Sequence, residues 1–553
     1  MFAFVEKPCP LRLLLLILLP LAVALAGCEE AIEQEPRDEI SQNNFFQNED
    51  EFLSAAAAVY AQRRSIVPGA MVTHSADGIM VPTRGPDWGD GGVWRELTQH
   101  NFNENHSFLQ GFWDTNQTGI ARANGVLAAL EESDFAPDVV NRFTAEMRFM
   151  RAYFYYWLMD SFAAAPIVVH EGSEQDFPTQ PVDPGDPPPH NSRKEVYDFI
   201  LQELSGCTSD TFQNDCMSGG NLNLNGGIIP DLGSDAEVPY GRATQEAGTA
   251  FLARLLINAP VFAVEVGGQA GGSPQDVGTG PELYEGAAAA ADRLINSGTF
   301  KLEENYFTNF KADNHQLSDE IIFPAVFAAE DGAGFTSEMS HLHINHGVPA
   351  TPWNGFTTIA EYYKAFDVEP GEDGEIGTRS DNRNDERAKQ FLLGEQYQEP
   401  SKGCFGINCF SDPESGRVQV RGGDDASPLI LTLEIPSIRL GQAEGEDLPF
   451  NDATFVLEST GARPLKFELD PGATDENMGN DWPIFRLAEM YLIKAEAENE
   501  LSGPNEALPY LNALRERAGA ETVSSVSSRM EMHQLIVQEE GFEFLEEGGL
   551  RRQ

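Results

Sequence analysis

Residues 481–520 read D-W-P-I-F-R-L-A-E-M-Y-L-I-K-A-E-A-E-N-E-L-S-G-P-N-E-A-L-P-Y-L-N-A-L-R-E-R-A-G-A, and the spacing of their apolar side chains leaves few folds open. Ile484, Leu487, Ala488, Tyr491, Leu492 and Ala495 recur every three or four residues. That period puts them on one face of a helix, which predicts a helix with one buried stripe. Ser502-Gly503-Pro504 supplies a stop and a restart, because Gly accepts the left-handed turn after a helix and Pro fits a first turn that needs no N–H partner. Ala507, Leu508, Leu511 and Leu514 give the second segment a matching stripe, so the two are expected to pack as an antiparallel hairpin.

The first residues of the chain address it for export. Lys7 and Arg12 precede an apolar run over 13–26, broken by Pro20, which ends in Leu25-Ala26-Gly27-Cys28. Small residues leading to a cysteine are the pattern of a lipoprotein signal, which makes 1–27 a signal peptide and Cys28 the lipidated residue. The polar, acidic residues after Cys28 suit a flexible tether. With 88 Asp and Glu against 36 Lys and Arg, the formal net charge is −52, and nucleic acid is excluded as a partner because phosphate binding needs a basic patch. Beyond Cys9 and Cys28, four cysteines form two close pairs, Cys207 with Cys216 and Cys404 with Cys409. In an exported chain they read as disulfides; metal ligation lacks a neighbouring His or zinc-like spacing, and free buried thiols are the remaining alternative.

Helices are predicted over 48–64, 109–132, 137–162, 242–263, 281–297 and 530–545 from the same period, with another starting at the Ser192 cap. Trp113 and Trp157 fall on core stripes, and Glu146, Arg148 and Arg151 are placed to form structural ion pairs. Between about 300 and 480 helical periodicity weakens and short strands interrupt loops, the mark of functional decoration. His341, His343 and His346 fall at alternate positions, but no carboxylate completes a metal set at close spacing. The acidic run 367–375 does not fit the ligand spacing of an EF-hand loop. No metal or cofactor is expected.

One loop has a different composition. Residues 75–101 place Trp88 and Trp94 among glycines and prolines, with Asp77, Arg84 and Asn101 close by. The apolar face of a sugar ring stacks on indole while its hydroxyls pair with such polar groups, so these five residues are candidate ligand contacts. Trp353, in T-P-W-N-G-F, is a sixth, since an aromatic between turn-forming residues is expected to be exposed.

The hairpin is similar to a tetratricopeptide unit, and its wording, R-L-A-E-x-Y-L-I-x-A-E-A followed by A-x-x-x-L-N-x-L-R-x-R-A-G, resembles the SusD/RagB family of outer-membrane nutrient-binding lipoproteins. Three further stretches resemble that family in its order: the loop P-T-R-G-P-D-W-G-D-G-G-V-W, the helix A-E-M-R-F-M-R-A-Y-F-Y-Y, and the final E-F-L-E-E-G-G-L-R. Where the family continues with G-D-x-P after that helix, this chain has Ala163-Ala164-Ala165-Pro166. The resemblance implies a mainly α, SusD-like fold in which tetratricopeptide-like hairpins form a scaffold and long loop and short-strand insertions carry the ligand face. It implies a signal peptide at 1–27, a tether at 28–40 and a SusD-like domain at 41–553, with scaffold at about 41–300 and 481–553, insertion at about 300–480, and a C-terminus truncated at Gln553. It further implies a lipid-anchored, extracellular-facing outer-membrane protein that passes a glycan, or alternatively a peptide, to a SusC-like TonB-dependent transporter. A pure interaction scaffold is the third reading. An enzyme is not expected, because neither a nucleophile elbow nor an H-E-x-x-H helix occurs.

Overall fold

A computed structural model of the chain describes residues 46, 48–67, 78–82, 92–169, 190–263, 281–329, 334, 337–348, 351–420, 427–435, 459–470, 473 and 477–547. The chain divides into two compact units, Met1–Ser54 and Ala55–Gln553. In the first, the described residues open helix α1 (Glu49–Gln62), where the Asn48 side chain accepts the Glu51 N–H at 3.1 Å and so caps it. The stretches expected as signal peptide and tether, with Cys28, and the loop residues Asp77, Arg84 and Trp88 lie outside the described residues.

The second unit is mainly α. Helices α2 (Val93–Thr98), α3 (Ser107–Glu131), α4 (Pro137–Phe162), α5 (Arg193–Ser205), α6 (Gln245–Ile257) and α7 (Pro281–Ile295) precede the insertion, which holds α8 (Ala360–Ala365). Helices α9 (Leu487–Leu501), α10 (Pro504–Arg517) and α11 (Arg529–Phe544) follow it. Several boundaries have a local cause. Pro137 opens α4 at the first-turn position, Ser192 and Glu195 close a reciprocal capping box on α5, and Thr244 and Ser528 cap α6 and α11.

Successive helices stack from α3 through α7, and α9 packs directly on α7, so the insertion leaves the stack between two neighbours without breaking it. Gly119 on α3 lets α4 come close: a Cβ there would sit 2.5 Å from the ring of Phe154. Buried Arg151 then ties three helices, donating to Asn124 Oδ1 on α3 at 2.9 Å and to Glu203 Oε2 on α5 at 2.8 Å. The predicted hairpin is α9 and α10, with Ala488, Leu492, Ala495, Ala507, Leu511 and Leu514 in one cluster that α11 covers through Met532 and Ile536.

One boundary differs from the periodicity. Residues 482–486 are not the first turn of α9 but a strand, β4 (Trp482–Arg486), paired antiparallel with β2 (Ile321–Ala325), and Ile484 is buried in that strand. Pro483 has no N–H to give a helix and disfavours helical backbone in Trp482, and the whole strand is buried, so its apolar run mimics a helix stripe. The pair joins the two ends of the insertion. Trp113 also departs from its expected core position: it is half-buried, stacked on His190 at 5.5 Å.

A buried ionic network locks the insertion to the last helix. Arg486 donates to Glu320 (2.8 Å), Glu543 (2.6 Å) and Glu547 (2.7 Å), while Arg387 reaches Asp385 (2.7 Å), Glu539 (2.7 Å) and Glu543 (2.9 Å). Burial alone would raise the Glu543 carboxyl, but the guanidiniums of Arg517, Arg486 and Arg387 outweigh it and hold that group far below the usual carboxylate range. Both cysteine pairs are disulfides, with Cα atoms 6.3 Å apart for Cys207–Cys216 and 5.2 Å for Cys404–Cys409. Among the described residues no helix is long and apolar enough to cross a membrane.

Candidate ligand-binding site

The Trp94 loop and the Trp353 turn are distant in sequence and adjacent in the fold. Strand β1 (Met80–Pro82), which enters the first, pairs antiparallel with β3 (Phe356–Thr358), which leaves the second, in the register Met80↔Thr358, Val81↔Thr357 and Pro82↔Phe356. Thr358 extends the pairing by donating its N–H to Ala462 at 2.8 Å. Gly461 must be glycine there: its φ is +79°, and a Cβ would meet Thr357 Oγ1 at 2.0 Å.

Trp94 sits on the short helix α2, which Gly92 enters at φ +90°. Its ring lies 4.2 Å from Phe108 and meets Phe356 edge-on at 4.7 Å, against buried Met80. One part of the indole is therefore committed to holding the loop, and the half-buried remainder faces outward. His106, buried at the start of α3, reaches the Val93 carbonyl at 3.0 Å and pins α2 from below. After α2 the chain turns through His100 at φ +54°, and exposed Asn101 follows, its N–H on the Glu96 carbonyl at 2.8 Å. Next to it Phe102 is 41% exposed.

Trp353 is 41% exposed, and its backbone is firmly held. Three consecutive N–H groups, of Trp353, Asn354 and Gly355, donate to the carbonyls of Met339, Leu342 and Ser340 at 2.8, 2.9 and 2.7 Å. Asn354 occupies φ +52°, and buried Arg463 spans the turn by donating to Asn354 Oδ1 at 2.5 Å and to the His341 carbonyl at 2.9 Å. A rigid backbone under an exposed indole lets a ring stack on it with little ordering cost.

Of the six expected ligand contacts, the fold thus brings the segments of Trp94, Asn101 and Trp353 into one region, and Asp77, Arg84 and Trp88 are outside the described residues. Sequence reasoning missed Phe102 and the Arg463–Asn354 clamp. Phe102 carried a signal, an aromatic flanked by asparagines; Arg463 carried none.

The three histidines do not share a strand face. They lie in turns after a short 3₁₀ segment, Ser337–Ser340, and all are buried. His346 stacks on Phe410 at 3.9 Å and accepts the His343 N–H, and burial, then His343 and Arg463, keep it well below the usual imidazole range, hence neutral. His341 turns the other way, its Nε2 touching Glu546 Oε1 beside Glu338. Sequence spacing offered His341 no carboxylate, whereas the fold supplies two. Burial and the neighbouring Glu546 push the Glu338 carboxyl well above its usual range.

Comparison with known proteins agrees with this architecture. A family model described as "SusD family" matches residues 451–551, and one described as "Starch-binding associating with outer membrane" matches 71–208. The chain is 24% identical over 395 residues to the starch-binding protein SusD of Bacteroides thetaiotaomicron, an alignment covering 68% of this chain and 57% of that protein's length. The fold is shared with a SusD-like carbohydrate binding protein from Bacteroides fragilis (TM-score 0.62, 16% identity, 91% of this chain and 85% of that one). It is shared too with a SusD superfamily protein from Bacteroides vulgatus (TM-score 0.58, 18% identity, 91% and 87%). The matched regions are the two that the structure joins to the insertion, the Trp94 loop with α3–α5 and the α9–α11 scaffold, and over them the chain is similar to the SusD/RagB family.

Proposed function

We propose that this protein is a lipid-anchored, surface-exposed outer-membrane protein that binds an oligo- or polysaccharide and delivers it to a SusC-like TonB-dependent transporter, without catalysing a reaction on it. The observation that carries this reading is the presentation of Trp353, 41% exposed on a triply hydrogen-bonded turn, by the same strand pair that holds the Trp94 loop. Stacking on Trp353 and the outward part of Trp94, with Trp88 as a third platform, supplies the apolar contact, and Asp77, Arg84 and Asn101 take the hydroxyls. The names of the relatives, a starch-binding and a carbohydrate binding protein, favour a glycan over a peptide. Cys28 would carry the lipid, and the stacked helices would offer the broad surface for the transporter.

Isothermal calorimetry of the purified protein against a panel of polysaccharides, their oligomers and mixed peptides tests the reading. Binding of one glycan with the polymer recovered intact supports it. Binding of peptides alone, or release of shorter sugars, overturns it.

A further inference from the structure

Glu338, His341 and Glu546 each offer one ligand atom, and these atoms lie within 4.8 Å of one another. The three side chains come from the insertion and from the turn after α11, and they are 0%, 0% and 4% exposed. Glu338 Oε1 accepts the Phe467 N–H at 3.1 Å, which aims Oε2 into the cluster, and neither Oε2 nor His341 Nδ1 has a hydrogen-bond partner among the described residues. Two carboxylates meeting an imidazole away from water are compensated either by protons shared among them or by a cation. The hydrogen bonds of Lys466 Nζ go to the Glu543 and Leu545 carbonyls and Glu547 Oε1, and Arg463 donates to His341 O and Asn354 Oδ1.

We propose that Glu338, His341 and Glu546 form a buried site for a divalent cation of the zinc class. One imidazole nitrogen and two carboxylate oxygens suit zinc or manganese and not calcium, which takes six or more oxygens. Ligands of a four-coordinate zinc lie about 3.3 Å apart, within the observed spread. Glu546 reaches the site at φ +66°, an uncommon backbone for a side chain of that size, and local strain of this kind is kept where the surroundings over-determine it. The ligands bear on the ligand-facing turn, because Met339, Ser340 and Leu342, interleaved with Glu338 and His341, accept the three N–H groups of residues 353–355. Binding of the cation would therefore fasten the end of α11 to the turn that carries Trp353. The site itself does not depend on what Trp353 binds.

The decisive measurement is elemental analysis of the purified protein, prepared without chelator and again after refolding with zinc or manganese, since a closed site fills as the chain folds. One equivalent of cation per chain is expected. Glu338→Gln and Glu546→Gln should each lose it, and chelation of the wild-type protein should lower its thermal midpoint by several degrees, reversibly. Less than a tenth of an equivalent after both preparations overturns the proposal and leaves three groups sharing protons. Full occupancy retained in folded Glu546→Gln overturns it too, by placing the cation elsewhere. Should the variants fail to fold, X-ray absorption of the wild-type protein decides: a single imidazole with oxygen ligands supports the site, and sulfur or several imidazoles sink it.

Discussion

Pro82 faces Phe356 across the β1–β3 ladder, and through that one pairing two loops separated by about half the chain become neighbours. The indole of Trp94 closes against the same Phe356 ring, so the first loop is fastened twice, by backbone pairing and by aromatic packing. Trp353, three residues before Phe356, is held through its backbone N–H and is 41% exposed. The two tryptophans therefore answer to different measurements.

Trp353→Ala should weaken glycan affinity about tenfold or more, because it removes about 1.4 kcal/mol or more of stacking, and should lower the unfolding midpoint less than the Trp94 variant does, because Trp353 is the more exposed of the two rings. Trp94→Ala should instead cost about 2 kcal/mol of stability, since it empties the space beside Phe108, Phe356 and Met80. Calorimetric titration and urea unfolding of both variants check the division; a Trp353→Ala protein that binds as tightly as wild type would remove Trp353 from the site.

Glu543 sets the acid limit of the fold. Its carboxyl loses its proton far more readily in the fold than in the unfolded chain, so its stabilising contribution is complete above about pH 4.5 and is lost as the pH falls below that value. Urea midpoints measured from pH 7 to pH 3 should decline steeply only below about pH 4.5. Glu543→Gln, which leaves Arg486, Arg387 and Arg517 facing one another without that charge, should cost about 3–5 kcal/mol at pH 7 and show a shallower decline in acid.

Reduction of the disulfides is expected to cost less. Each closes a short loop, nine residues for Cys207–Cys216 and five for Cys404–Cys409, so each contributes about 2–3 kcal/mol by restricting the unfolded chain. The paired variant Cys404→Ser with Cys409→Ser should therefore remain folded with a lower urea midpoint, and thiol labelling with mass spectrometry should show both pairs closed in the wild type.

The scaffold was legible in the sequence because its information is local. Pro137 and a 3.6-residue stripe mark α4 to its last residue, and Ser192 with Glu195 announces α5. What was not legible depends on partners far along the chain. Residues 482–486 become a strand because 321–325 lie alongside, and the side chains alone would serve a buried helix equally well. Trp94 could be recognised as unusual, but its half-buried state follows from Phe356, which no spacing connects to it. His341 lacked a carboxylate at close spacing, and Glu546 reaches it only after the whole insertion has folded onto α11.

The departure from G-D-x-P after α4 has a measurable consequence. Ala163 ends the helix at φ +66° and ψ −50°, and the Ala164 N–H donates back to the Phe162 carbonyl at 2.8 Å, which makes a γ-turn centred on a residue with a Cβ. That conformation is strained for an L-residue and open to glycine. Ala163→Gly relieves about 1–2 kcal/mol in the fold and gives back about 0.4–1 kcal/mol through the freer unfolded chain. The net expectation is a gain of up to about 1.6 kcal/mol, read as a higher urea midpoint with an unchanged slope and unchanged glycan affinity, because Ala163 lies outside the candidate site. Ala163→Val, at the same position, should move the midpoint the other way, since a β-branched side chain tolerates positive φ least. A loss of stability in Ala163→Gly would show that the turn carries no strain and that the Ala164–Phe162 hydrogen bond alone sets its energy.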